Sequence, residues 1–130
     1  MNFPAIAAVG FGGVLGCWLR WWLALRFNAL FPNLPLGTLA ANLIGGYIIG
    51  VALGLVTGSG LSPQARLFLM TGFCGGLTTF STFSAETYSM LARGQLGWAL
   101  GEIGVHVTGS LLATALGVLT VRALSPGAAA

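Results

Sequence analysis

The side chains in this sequence that can do chemistry are few, and their spacing carries most of the information. Thr38 and Asn42 stand four residues apart, which on a helix places them on one row, and the row continues through Gly46, Gly50 and Gly54. It reads either as a packing face with one interhelical hydrogen bond or as one wall of a hydrated path. A second group runs from Gly75 and Gly76 through Leu77, Thr78, Thr79, Phe80, Ser81, Thr82 and Phe83 to Ser84, with five hydroxyls in its last seven residues. Hydroxyl side chains compete with the backbone for hydrogen bonds, so this is a poor continuous helix. A third group, Glu102, His106, Ser110 and Thr114, repeats every four residues and forms a polar stripe on an otherwise apolar helix.

What such groups do well is hold an ion weakly. A helix interrupted near 75–84 frees carbonyls at the end of one half and N–H groups at the start of the next. Carbonyls suit a cation, and the N–H end suits an anion. Phe80 and Phe83 are i and i+3, so their rings share a face, and an anion fits against their electropositive edges. Alone, each of these motifs reads as core packing; it is their coincidence at a break that points to function. Ser110 and Thr114 each carry a rotatable O–H, and His106 adds a ring donor. Glu86 is expected to be paired, with Arg20 or with a hydroxyl, and Glu102, one to two turns into its helix, is expected at headgroup level. The few titratable groups offer no acid–base pair and no nucleophile with its base, which argues against an enzyme.

The elements that position these groups follow from composition. Of 130 residues, 5% are charged and 56% are hydrophobic, with a mean hydropathy of +0.92. A soluble domain is about 25% charged, so a closed water-facing surface cannot be covered. The expected fold is an all-α integral membrane protein, one four-helix transmembrane domain over residues 1–130, and its partner is lipid. Predicted segments run from about Phe3 to Leu25, Leu36 to Val56, Gln64 to Leu91 and Leu96 to Leu124, separated by NALFPNLP, TGSGLSP and Arg93-Gly94-Gln95. The third is longer than a span needs, and a break near its middle accounts for that. The tail SPGAAA is too short to fold alone. Gly12 and Gly16, like Gly46, Gly50 and Gly54, repeat at i+4 and suit close helix packing. Cys17 and Cys74 read as small buried thiols.

The net charge of +3 comes from five isolated arginines, with no basic patch for nucleic acid. Four spans place Arg20, Arg26 and Arg93 on one side and Arg66 and Arg122 on the other, nearly a tie under the positive-inside rule. Both orientations are then insertable, and an antiparallel homodimer is permitted.

With these residues in view, the sequence resembles the Fluc (CrcB) family of bacterial fluoride channels along nearly its whole length. The resemblance is carried by GGVLGCWLRW with Arg20, PLGTLAANLIGG with Thr38 and Asn42, TGFCGGLTTFSTFSAE with Glu86, and GSL with Ser110. It implies a dual-topology, antiparallel homodimer in the bacterial inner membrane, each chain crossing four times, with two narrow pores that pass fluoride and exclude chloride. It further implies that Phe80 and Phe83 line the pores, that Asn42 and Ser110 lie on the ion path, and that Thr114 is a further hydroxyl of a polar track; from the residues themselves, Thr38, Ser81 and Thr82 are further candidates for the path, and Arg20, Glu86 and His106 for a vestibule or polar track. A structural sodium ion at the dimer centre is implied on the carbonyls of Gly75 and Thr78. Glu102 and His106 depart from the pattern, which favours aromatic or small hydroxyl side chains there. The main rival, a small multidrug-resistance-type transporter, needs a membrane-embedded Glu in the first helix, and the first segment here holds no acid.

Overall fold

The computed structural model describes residues 2–57 and 60–124, and every regular element among them is helical. Helix α1 is Phe3–Phe27, α2 is Leu36–Thr57, α3 is residues 63–77, α4 is Phe80–Ala92 and α5 is Leu96–Leu124. Gly58, Ser59 and the tail SPGAAA lie outside the described residues. Among the described residues, three stretches are long and apolar enough to cross a bilayer: Phe3–Leu30, Leu36–Val56 and Leu96–Leu124. The segment expected to supply a fourth, broken crossing is interrupted at Thr78 and Thr79. Its halves α3 and α4 are each shorter than the roughly 20 residues one span requires.

Local chemistry sets the ends. Asn2 and Ser62 cap α1 and α3 by accepting from Ala5 N and Ala65 N, with proline in the first turn of each. After α1 the chain makes a 3-10 turn, Asn28–Leu30, and Asn28 Oδ1 accepts from Thr38 N at 3.1 Å, covering a first-turn amide of α2. Helix α4 closes with Gly94 N donating to Leu91 O and Gln95 N to Met90 O, both at 2.9 Å. That pairing turns the chain through Gly94 at φ +73°, where a side chain would be strained.

Two close helix pairs make the framework. Helix α1 lies on α3, where a Cβ at Gly12 or Gly16 would run into the backbone of Phe68 or Phe73. Helix α2 lies along α5, where a Cβ at Gly50 would meet Thr114 O and one at Gly54 would meet Val121 Cβ at 2.8 Å. The small-residue rows are thus the seams of both pairs, as helices without a hydrophobic driving force require. Leu23, Ala41 and Leu77 join α1, α2 and α3 in the core. Within α3, Leu67–Cys74 is π-helical, a rare winding that often sits beside functional backbone. Large apolar side chains face outward on every long helix, among them Phe11, Trp18, Trp21, Leu53, Leu111 and Leu119. Such a surface belongs in lipid or against another protein. Cys17, expected to be buried, is exposed, while Cys74 is buried.

Candidate functional site

The interruption of the third segment falls at Thr78 and Thr79. Both are extended, at φ −76°, ψ 153° and φ −150°, ψ 114°, while Gly75 and Gly76 stay helical. The hydroxyl-rich residues therefore make the break, not the glycines. Thr79 begins α4 as its N-cap, its Oγ1 accepting from Thr82 N at 3.1 Å and donating to Thr82 Oγ1 at 3.0 Å. Ser81 Oγ lies 3.3 Å from the same oxygen.

Asn42 on α2 braces the break from the side. Its Oδ1 accepts from Thr79 N at 2.8 Å, and its Nδ2 donates to Thr79 O at 3.2 Å. These two bonds fix which end of the amide is nitrogen. The second Nδ2 hydrogen points to His106 Nδ1 at 3.1 Å, so that ring nitrogen accepts, and a neutral imidazole carries its proton on Nε2. His106 is buried and lies against Phe83, ring centroids 4.8 Å apart; Phe83 in turn meets Phe80 at 5.5 Å. Phe83 is 8% exposed and Phe80 is 79% exposed, so the shared aromatic face has one buried ring and one open ring.

Capping also frees carbonyls. In an unbroken helix Thr79 N would bond Gly75 O and Thr82 N would bond Thr78 O, but these amides are taken by Asn42 and by the Thr79 hydroxyl. The carbonyls of Gly75 and Thr78 lose their usual partners, while Gly76 O accepts from Arg20 Nε at 2.9 Å. A Cβ at Gly75 would meet nothing within 4 Å, so the backbone there is open. No group of three or more His, Cys, Asp or Glu side chains stands ready for a metal among the described residues.

Beside the break runs a groove of about 320 Å³, lined by Asn42, Gly45, Gly46, Ile49, Thr78, Thr79, Phe80, Phe83, His106, Val107 and Ser110. Its polar groups are an amide, hydroxyls, backbone and an imidazole, with no charged side chain. Fixed donors of that kind attract a small anion without holding it permanently.

Of the residues singled out from sequence, Asn42, Phe80, Phe83, His106 and Ser110 come together on this groove. Thr114 lies off it, donating to Ser110 O at 2.9 Å and to Gly46 O at 3.1 Å. Thr38, 2% exposed, is packed away and splits from Asn42 despite sharing its helical row. Its hydroxyl donates to Glu86 Oε1 at 2.7 Å and accepts from Asn28 Nδ2. Glu86 is therefore paired with a hydroxyl rather than with Arg20. With Thr82, Ser89 and Arg93 it lines a second cavity, of about 280 Å³. Glu102 is not at headgroup level: it is 0% exposed, and its Oε2 accepts from Thr87 Oγ1 at 2.8 Å. Sequence reasoning passed over Gly45, where a Cβ would run into the Thr78 methyl group, and Thr79 as the residue being braced. Its signal is a cap pattern, hydroxyls at 79 and 82 ahead of an aromatic-rich helix.

Comparison with known proteins comes down on one side. Residues 7–118 match the family model described as "CrcB-like protein, Camphor Resistance (CrcB)". The chain is 57% identical over 122 residues to a Pseudomonas putida protein named "Fluoride-specific ion channel FluC", covering 93% of this chain and 96% of that one. A protein of the same name from Nitrosospira multiformis is 57% identical over 126 residues, covering 96% and 98%. One from Acinetobacter baylyi is 49% identical over 123 residues, covering 95% and 98%.

Proposed function

Because the chain belongs to the CrcB family, we propose that it is a fluoride-selective ion channel, in which the groove beside Asn42, Phe80, Phe83 and Ser110 is part of the ion path. The observation that carries this reading is a set of anion-compatible donors, with no cationic side chain, on backbone held by Asn42. Fluoride is small and strongly hydrated, so its shell must be replaced by short hydrogen bonds; hydroxyls, amides and ring edges provide them, and a fixed positive charge would trap the ion.

The working unit in this reading is an antiparallel homodimer with two pores in the bacterial inner membrane, α3 and α4 together making a fourth, broken crossing. Support comes from the near-even division of arginines, which leaves orientation open, and from the apolar faces that each chain exposes. The released carbonyls of Gly75 and Thr78 would hold a structural sodium ion at the dimer interface, whose charge would offset their dipoles. Arg20, bonded to Gly76 O, lies next to that backbone.

Efflux from liposomes containing the purified protein, followed with a fluoride electrode and repeated with chloride, tests the proposal. Fluoride leaves rapidly and chloride is retained; equal efflux of both ions, or none of either, overturns it.

A further inference from the structure

The side-chain donors beside the break are nearly all committed before any ion arrives. The Thr78 hydroxyl donates to Cys74 O at 2.8 Å, one turn back, and the Thr79 hydroxyl donates to Thr82 Oγ1 at 3.0 Å. Asn42 has two amide hydrogens, and both are in use: one goes to Thr79 O at 3.2 Å and the other to His106 Nδ1 at 3.1 Å. Among the described residues, Ser110 alone of the hydroxyl and amide side chains on the groove keeps a donor without an acceptor.

An anion that is to bond Asn42 must therefore displace one of its two acceptors, and these are not held alike. Thr79 O belongs to a closed pair of bonds, completed by Thr79 N donating to Asn42 Oδ1 at 2.8 Å, and that pair braces the break. His106 is held by one. Its other ring nitrogen, Nε2, is buried and has no hydrogen-bond partner among the described residues, so the Nδ1 bond is the only polar tether of the ring. The remaining contact is ring packing on Phe83, which is non-directional enough to survive a small slide of the imidazole. A hydrogen bond to an ion is roughly twice as strong as one between neutral groups. Fluoride can thus take the hydrogen that a neutral imidazole holds, while chloride, a larger and weaker acceptor, gains less by the exchange.

We propose that His106 is a positioning residue that competes with the permeating anion for one amide hydrogen of Asn42. It holds that hydrogen while the groove is empty, yields it to fluoride and takes it back as the ion leaves. The empty groove then carries no orphaned amide donor. Fluoride binding is weakened by the loss of the His106 bond, and its release is quickened by the return of that bond; conduction needs a site that an ion can leave. The competition rests on the channel reading, with Asn42 on the ion path; the Asn42–His106 bond does not.

His106 is the one histidine of the chain, so magnetic resonance of the full-length protein, its histidine labelled with the heavy nitrogen isotope and any purification tag removed, sees a single imidazole. Expected without fluoride is a proton on Nε2 and a hydrogen-bonded acceptor at Nδ1. Saturating fluoride is expected to move the Nδ1 signal toward that of an unbonded ring nitrogen, and the same concentration of chloride to leave it in place. A proton found on Nδ1, or an Nδ1 signal that fluoride does not move, overturns the proposal. In liposomes, His106→Phe keeps a ring against Phe83 and removes the acceptor. Its half-saturating fluoride concentration is expected to fall roughly threefold to tenfold, the weight of one ordinary hydrogen bond, and its maximal efflux to fall as well. His106→Asn, whose Oδ1 takes the place of Nδ1, should restore both toward the values of the unaltered protein. Slower efflux in His106→Phe at an unchanged half-saturating concentration is what structural damage alone would give, and it overturns the competition. Should His106→Phe fail to fold, the labelled unaltered protein decides by itself. Absence of fluoride efflux from the unaltered protein overturns the channel reading and the competition together, whereas normal efflux with an unmoved Nδ1 signal overturns the competition alone.

Discussion

Asn42 holds the break with an amide whose oxygen and nitrogen both bond Thr79, and whose remaining hydrogen reaches His106. Removing it leaves the buried Thr79 N–H without a partner and takes one of the bonds from the Thr79 carbonyl, and an orphaned buried polar group costs about 1–3 kcal/mol. Asn42→Ala is expected to lower the melting temperature of the purified protein and to slow fluoride efflux sharply; a variant normal in both would show that the break is held some other way. The two phenylalanines separate stability from conduction. Phe80 is open, so Phe80→Ile should slow efflux and leave melting unchanged. Phe83 is packed between Phe80 and His106, so Phe83→Ile should slow efflux and also cost about 1 kcal/mol. Unchanged efflux in both would return the rings to a packing role. The i, i+3 spacing announced a shared face, but which ring is buried depended on α5, because His106 supplies the covering surface.

Helices α2 and α5 meet through glycine. The α2 backbone approaches Thr114 O and the Gly117 Cα so closely that a side chain at Gly50 has no space. Gly50→Val is expected to destabilise the protein by about 1–3 kcal/mol or to prevent its folding, as overpacking does. Gly101 on α5 has nothing within 4 Å of its Cβ position within the chain, so Gly101→Ala should leave the fold intact. Thermal melting of both variants checks the contrast, and equal effects would contradict the helix pairing described here. The glycine rows were readable as seams because i+4 spacing survives in any helix. The π-helical turn at Leu67–Cys74 was not readable, since one extra residue per turn leaves no compositional mark and is set by packing on α1.

At the scale of the whole molecule, the proposed dual orientation depends on a charge balance that one residue can tip. With three arginines toward one face and two toward the other, Gln95→Lys strengthens the Arg93 side and Gln64→Lys strengthens the Arg66 side. Each variant is expected to insert in one orientation, opposite to the other, and to support fluoride efflux only when the two are co-expressed. Labelling of single introduced cysteines from the two membrane faces reads the orientation. A native protein found in one orientation would remove the antiparallel dimer.

The sequence by itself determined a helical membrane protein, its segment limits to within a few residues, the packing rows and the candidate polar residues. These follow from hydropathy and from periods of four, which are local properties of a chain. The tertiary structure decided how those residues divide. Thr38 and Asn42 share a row, yet one packs against Glu86 and the other braces Thr79, 37 residues away in sequence. Glu102 lies near the start of α5 but is fully buried, because α4 crosses above it and supplies Thr87. Interactions of that kind arise where helices cross, and a helix's own sequence fixes what it presents but not what it meets.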